Sequence, residues 1–392
     1  MKNMVNTTVL GELVDLVMGQ APSSKDCNFD GRGTPFVKVG EFGEIRPMIR
    51  EWTTNPLRMA RKTDVLLCVV GATCGKINLG EECAIGRSVA AIRPHATKLD
   101  QFYLYYFMMT LVEHLRSGSV GAAQTVISKE MVETIQIPLV SLPEQQRIVG
   151  ILDEAFEGIT TAKANAEKNL QNARALFESH LQSIFSKRSK GWIDTTIGDV
   201  IRFIDYRGKT PVKTTSGIRL ITAKNVKMGN LQDSPMEFIA SSSYRSWMTR
   251  GIPQKGDVLF TTEAPLANVA QLNTDEKVAF AQRIIIMQPE KTKLDSTFLK
   301  YLLLSAPVQQ RIRAKGTGAT VQGIKASLLK LIEISFPRIV SEQELIVKKL
   351  DALNAENQHL ESIYQKKLDA LEELKKSILH QAFTGELTKA AA

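Results

Sequence analysis

Leu142-Pro143-Glu144-Gln145-Gln146-Arg147-Ile148-Val149 and Ser341-Glu342-Gln343-Glu344-Leu345-Ile346-Val347 are two versions of one stretch. The first opens a helical run reaching about Lys187, and the second one reaching about Phe383. Laid over each other at a shift of 198, the runs keep Glu144/Glu342, Gln145/Gln343, Ile148/Ile346, Leu152/Leu350, Asp153/Asp351, Leu176/Leu374, Leu181/Leu379 and Phe185/Phe383. The chain is therefore a duplicated unit. In the second run Ile346, Leu350, Leu353, Asn357, Leu360, Tyr364, Lys367, Leu371, Leu374 and Ile378 follow steps of four and three, the spacing of a coiled-coil seam. The first run sets Leu152, Phe156, Ile159, Ala166, Leu170, Ala173, Phe177 and Ile184 on the matching seam, and its alanines permit close approach of a second helix. A run of about 43 residues extends roughly 65 Å, too long for the flank of one small domain.

Outward from these runs, residues 1–140 and 191–340 alternate short apolar stretches with Gly, Pro, Asn and Asp punctuation, the pattern of mixed α/β domains rich in loops. The division expected is 1–140 as a first domain, 141–190 as a central helix, 191–340 as a second domain and 341–392 as a closing helix and tail. Pro35–Val39, Asp64–Val70 and Ser88–Ile92 read as strands, and Asp100 can cap a helix through Tyr103 and Met108. The second segment repeats the order. Gly256-Asp257-Val258-Leu259 answers Thr63-Asp64-Val65-Leu66, and Lys293-Leu294-Asp295 answers Lys98-Leu99-Asp100. Gly316-Thr317-Gly318-Ala319-Thr320-Val321-Gln322 resembles the Gly118–Thr125 loop. The two segments share a frame but not their polar residues.

The net charge of +9 is unevenly spread: residues 191–340 hold 21 Lys and Arg against 12 Asp and Glu, whereas residues 1–140 hold 15 against 14. A basic, non-helical segment suggests an acidic partner such as nucleic acid, with a solvated basic surface as the plain alternative. The longest uncharged apolar run, Phe102–Val112, is about half of a bilayer span. Together with an N-terminus lacking a secretory apolar segment, it predicts a cytoplasmic protein without membrane association. Cys27, Cys68, Cys74 and Cys83 form no C-x-x-C pair and have no counterparts in the second copy, which favours reduced structural thiols over a zinc site.

Catalytic signatures are missing. Gly71-Ala72-Thr73-Cys74-Gly75-Lys76-Ile77 imitates a phosphate-binding loop, but it has three residues between its glycines where four are needed, and Ile77 stands where a magnesium-binding hydroxyl belongs. His359-Leu360-Glu361 matches the start of a zinc-deaminase motif with no P-C-x-x-C after it. The chain is expected to be non-catalytic, without a metal or cofactor of its own. Candidates for DNA contact are loop residues that differ between the copies. In the first these are Lys38, Arg58, Arg61, Lys76, Arg87 and Gln124; in the second, Arg207, Lys209, Lys224, Asn225, Arg250, Gln282, Arg283 and Gln322. Arg pairs bidentately with guanine and Asn or Gln with adenine, while Lys more often meets phosphate; a solvated side chain is the alternative for each.

A variable segment, a helix opened by Leu142-Pro143-Glu144-Gln145-Gln146-Arg147-Ile148, a second variable segment and a helix closing on Gln381-Ala382-Phe383-Thr384-Gly385-Glu386-Leu387 together resemble the specificity subunit of Type I restriction-modification enzymes. The resemblance implies an α+β fold: two similar target-recognition domains joined by two long helices that form an antiparallel coiled coil, with an internal pseudo-twofold repeat. It implies that each domain reads one half of a bipartite site on double-stranded DNA. It also implies partners, two methyltransferase subunits carrying S-adenosylmethionine and restriction subunits carrying ATP and magnesium. Glu144, Gln145, Arg147, Glu342 and Gln343 at the helix openings, with Phe185 and Phe383 at the far ends, are the expected subunit contacts, against packing of each helix on its own domain. The competing reading is a coiled-coil adaptor that does not touch DNA, and an enzyme acting alone comes third.

Overall fold

The computed structural model of the chain describes residues 6–117, 126–186, 191–206, 210–318 and 322–389. The chain divides into two compact units, Met1–Glu167 with Gln365–Ala392, and Lys168–Tyr364.

The first unit begins with β1 (Thr7–Val9), β2 (Val14–Met18), β3 (Cys27–Asn28), β4 (Thr34–Val37), β5 (Glu51–Thr53) and β6 (Met59–Ala60). β7 (Val65–Cys68), β8 (Ile77–Leu79), β9 (Cys83–Ile85) and β10 (Val89–Pro94) follow, then α1 (Gln101–Thr110), α2 (Val112–Ser117), α3 (Lys129–Glu133), β11 (Gln136–Pro138) and the long α4 (Leu142–Ser186). Strands β2-β10-β7-β8 form one antiparallel sheet, β3-β5-β4-β9-β6 a second, and β1 pairs with β11. The second unit repeats this with β12 (Trp192–Thr196), α5 (Ile197–Val200), β13 (Ile201–Asp205), β14 (Lys213–Thr214), β15 (Ile218–Ile221), β16 (Glu237–Ile239) and α6 (Tyr244–Trp247). It continues through β17 (Val258–Thr261), β18 (Val269–Gln271), β19 (Val278–Phe280), β20 (Ile284–Pro289), α7 (Ser296–Leu304), α8 (Ala306–Ala314), α9 (Ala326–Lys330), β21 (Glu333–Pro337) and the long α10 (Val340–Thr384). Its sheets, β13-β20-β17-β18 and β14-β16-β15-β19 with β12 against β21, have the strand order of the first unit less a partner for β6. Among the described residues no helix is long and apolar enough to cross a membrane.

The apolar runs of the central strands follow from burial on both faces. Val65 and Leu67 of β7, with Ala90 and Ile92 of β10, face a core shared with α1, α4 and the end of α10. Leu66, Cys68, Val89 and Ala91 face Val37, Cys83 and Ile85 of the second sheet. In the second unit Val258, Phe260, Ile285 and Met287 point to the helices, while Leu259, Ile284 and Ile286 point to β15 and β19. The helix halves run antiparallel in each unit. In the first, Lys163 pairs with Glu372 at 2.7 Å while Lys375 lies over the ring of Phe156. In the second, Arg174 pairs with Glu361 at 3.0 Å while Leu181 meets Leu350. The seam of α4 is as its spacing predicts. That of α10 drifts: Lys367 and Leu374 are exposed, and the covered line passes through Leu368 and Lys375. A straight helix slips about 20° per heptad against a strict seven-residue repeat, and α10 accumulates that slip.

Each domain is fastened to its helix by one buried glutamine. Gln145 Oε1 accepts from the Asp100 N–H at 2.8 Å, and its Nε2 donates to the carbonyls of Lys98 and Val140, both at 2.9 Å. Gln343 repeats this with Asp295 N–H at 2.8 Å, Lys293 at 2.8 Å and Pro337 at 2.7 Å. About two helix turns further on, Tyr106 donates to Asp153, and Tyr301 donates to Asp351 at 2.6 Å. Burial first, then these carboxylate partners, push both phenols well above the usual tyrosine range. The Asp64/Asp257 pair does similar work inside the sheets. Asp64 accepts from Arg61 N–H and holds Arg93 through two contacts at 2.9 Å; Asp257 accepts from Gln254 N–H and from Gln288, each at 2.7 Å.

Q145A and Q343A each orphan one buried N–H and two carbonyls and should cost about 3 kcal/mol, at about 1–3 kcal/mol for an unmatched group less what relaxation recovers. Denaturant unfolding checks the size, and faster hydrogen exchange should appear in α1 for the first and α7 for the second. D64N leaves Arg93 without its bidentate partner and should cost about 3 kcal/mol, whereas D257N facing neutral Gln288 should cost under about 1 kcal/mol. Burial raises the Asp257 pKa against the hydrogen bonds that lower it. Its stabilising contribution is therefore present below the ordinary carboxylate pKa and lost as pH rises through the raised one. The D257N deficit relative to the natural protein should accordingly shrink in melts as pH rises from about 4 through the raised pKa, and a growing deficit would contradict this.

Candidate nucleic-acid interface

In each unit the second sheet has one parallel pair among the described residues, β4/β9 and β15/β19, so the loops leaving both strands emerge at the same sheet end. Lys38 follows β4 and Arg87 follows β9. β6 runs antiparallel to β9, and the Ile85 N–H donates to the Arg58 carbonyl at 2.9 Å, which brings Arg58 to that end as well. Lys76 reaches it by donating to the Phe42 carbonyl at 2.7 Å. Arg61 does not: it lies beyond the other end of β6, where its N–H meets Asp64. Lys38 is half-buried and paired with Glu51; burial works against its ammonium, but the bond and charge of Glu51 outweigh that and hold its pKa up.

The second unit gathers its candidates in the same place. Lys224 follows β15, and Gln282 and Arg283 follow β19. The pairing Asp205↔Ile285 puts the end of β13 here too, and Arg250 donates to the Asp205 carbonyl. Trp247 Nε1 donates to the last carbonyl of β19, Phe280, at 2.9 Å, and its ring stacks on Tyr206. Gln322 is exposed beside Gly323, which bridges Glu263. Gln124, Arg207 and Lys209 lie outside the described residues.

Asn225 departs from its expected role as a base reader, because it is fully buried. Its Oδ1 accepts from Thr222 N–H at 2.9 Å, and its Nδ2 donates to carbonyls of Gln232 at 3.1 Å and Pro235 at 2.9 Å. Glu41 holds the matching turn of the first unit, accepting from Lys38 N–H at 2.9 Å. The helix openings need a similar correction. Gln145, Gln343 and Phe383 are buried, Phe383 against Tyr103 and Phe107, while Phe185 packs on Trp192 and Phe298. These four fix helices to domains. Glu144 and Arg147 form a bidentate pair on the surface of α4, and the Arg147 bond holds the Glu144 pKa below the usual range. Glu342 is exposed.

Sequence reasoning looked for bases and amides and so missed the carboxylates that hold them, Glu51 and Glu263. It also missed the glycines that turn the chain into the parallel strands. Gly33 and Gly217 have φ of 93° and 133°, and a Cβ on either would come within 2.3 Å and 2.2 Å of the carbonyls of Thr53 and Ile239. A glycine directly before an apolar run, as in Gly33-Thr34-Pro35-Phe36 and Gly217-Ile218-Arg219-Leu220, was the available signal.

The family model for the Type I restriction modification DNA specificity domain matches residues 3–171 and again 189–369. The chain belongs to this family. It is similar to the MjaVIII specificity subunit of Methanocaldococcus jannaschii, 22% identical over 91% of this chain and 84% of that protein. It is also similar to the putative MjaX specificity subunit of the same organism, 32% identical over 41% of this chain and 37% of that protein. Among solved structures, a chain from a study of complex assembly and conformational transition of the type I R-M system aligns with a TM-score of 0.80, 18% identity and coverage of 97% and 98% of the two chains. The HsdS subunit from Thermoanaerobacter tengcongensis aligns at 0.58 with 17% identity over 97% of each. These structures share the fold: two similar mixed α/β domains and two long antiparallel helices.

Cys27 is half-buried beside Glu51, and burial followed by that charge raises its thiol pKa. Cys68, Cys74 and Cys83 are buried, with the Cys83 thiol pushed up to about 12 chiefly by burial. Under native conditions an alkylating reagent should modify Cys27 first and leave the other three until unfolding. Peptide mass mapping checks this order, and early labelling of Cys83 would contradict it.

Proposed function

We propose that this chain is the DNA-specificity subunit of a Type I restriction-modification complex, acting in the cytoplasm without catalysis of its own. The observation that carries the reading is the pair of units with one strand order and unlike polar side chains at the same sheet end. Each unit reads one half of a bipartite site on duplex DNA. Lys38, Arg58, Lys76 and Arg87 serve the first half, with Lys224, Arg250, Gln282, Arg283 and Gln322 serving the second. Lysines meet phosphate and hold register, while arginine and glutamine meet base edges. The excess charge of residues 191–340 favours an acidic partner such as DNA, and Lys224, Arg250 and Arg283 bring part of it to the convergent sheet end.

The helix pair sets the spacing between half-sites. Helices α4 and α10, each 45 residues, extend about 67 Å at 1.5 Å per residue. Leu176 and Leu374 occupy matching places in the repeat and are 57% and 47% exposed, one on the helices of each unit. Equivalent apolar positions of this kind support docking of two copies of a methyltransferase subunit, together with Glu144, Arg147 and Glu342. S-adenosylmethionine belongs to those subunits, and ATP and magnesium to restriction subunits.

Binding by the complex with its methyltransferase partners should fall steeply with salt, with a slope of log K against log salt of about −0.9 for each phosphate neutralised. Exchange of residues 1–140 for those of a relative should change one half of the methylated motif and leave the other. A flat salt response would return the adaptor reading, and a change in both halves would end independent reading by the two units.

A further inference from the structure

Arg283 leaves β19 with φ of +75°, in the left-handed region that side-chain-bearing residues rarely enter. Thr262 holds it there, its N–H donating to the Arg283 carbonyl at 2.9 Å and its Oγ1 at 3.4 Å. The guanidinium Nε lies 3.0 Å from Glu263 Oε1, with the two side chains 44% and 46% exposed. Glu263 is in turn fixed by its bridge to Gly323, where a Cβ would sit 3.3 Å from the Glu263 Cβ. The first unit repeats the hydrogen bond and the bridge without the ion pair or the left-handed φ: Val69 N–H donates to the Ser88 carbonyl at 2.9 Å, and Val70 bridges Val126. Ser88 thus stands where Arg283 does, and Val70 where Glu263 does.

An ion pair this exposed contributes little to stability, and Ser88 accepts the same backbone hydrogen bond without a left-handed φ, so that bond does not itself require the unfavourable backbone of Arg283. Strain kept at an exposed tip points to a use for the side chain it aims. With Glu263 on the Nε side, the Nη1 and Nη2 groups are left side by side, and among the described residues neither has a hydrogen-bond partner. Two adjacent donors match the O6 and N7 acceptors of guanine in the major groove. We propose that Arg283 reads a guanine in the half-site of the second unit and that Glu263 is the positioning residue that orients it. This rests on the DNA-specificity reading above. The Glu263 carboxylate keeps the guanidinium from swinging onto phosphate, and exposed Lys224 on the neighbouring strand end is free to take that contact.

The test uses the complex with its methyltransferase partners and a panel of duplexes, each altered at one base pair of the methylated motif, in competition binding. R283A should lose about 5- to 150-fold of discrimination at one G·C pair of one half-site, with preferences at every other pair held within about two-fold. E263A should lose a smaller part at that same pair, and E263D should restore some of it, a response that a merely structural role would not give. Equal weakening on all duplexes would make Arg283 a phosphate contact and overturn the proposal. So would unaltered discrimination in R283A, or an E263A variant unchanged at the pair R283A affects. If R283A does not fold, R283K is read the same way, since an ammonium cannot present the paired donors. A natural complex with no discrimination anywhere would instead defeat the functional reading itself, a result distinct from a discriminating complex whose R283A variant discriminates equally well.

Discussion

A glutamine with no exposed surface, placed one turn into each long helix, is the constraint on which the rest of the fold depends. A helix leaves its first N–H groups without partners, and the strand-to-helix corner leaves carbonyls in the same position. Gln145 and Gln343 answer the corner with one acceptor and two donors, and so connect the cap of α1 or α7, the preceding loop and the end of β11 or β21. Few side chains carry both functions at that length; a carboxylate would face two carbonyls with no proton to offer. The tyrosine-to-aspartate bond about two turns later fixes the rotation of the helix about its axis. Each domain is thereby held to its helix by directional bonds as well as by apolar contact.

Within the units, geometry has been kept while chemistry has changed. Asp64 holds a guanidinium and Asp257 an amide at equivalent places in the two main sheets. Glu41 and Asn225 accept from the corresponding N–H after the parallel strand, one charged and one neutral. Buried turns tolerate such exchanges because the requirement is an acceptor of the right reach, and either side chain meets it. The exposed ends of the same loops have no such requirement, which is why Ser88 and Arg283 can occupy one position.

Much of this was legible in the sequence, and what was legible shares a physical origin. Period and capping chemistry act locally, so the long helices, the Asp100 and Asp295 caps and the order of the duplicated strands could all be read directly. The pairing of β4 with β9 joins residues some fifty apart and leaves no local signal, and with it the convergence of Lys38, Arg58 and Arg87 stayed hidden. Asn225 was misread because a polar residue in a loop is equally suited to solvent, to a ligand or to its own backbone, and only the fold decides. Gln145 and Gln343 were singled out for the right reason, recurrence, but directed outward to a partner when they turn inward.

The separation of frame from tip also limits how such a protein changes what it recognises. If the proposed DNA contacts are right, a substitution at Arg87, Lys224 or Gln282 removes no core contact, so the native state persists and only recognition shifts. On the same proposal, a substitution at Lys38 or Arg283 reaches a carboxylate, Glu51 or Glu263, that stays behind as an unmatched charge at the proposed recognition surface. Facing a polyanion, that charge repels rather than merely fails to attract. Such positions are therefore expected to change in pairs, while the lone bases around them change singly, and the carboxylates near the sheet end mark where recognition is least free to drift.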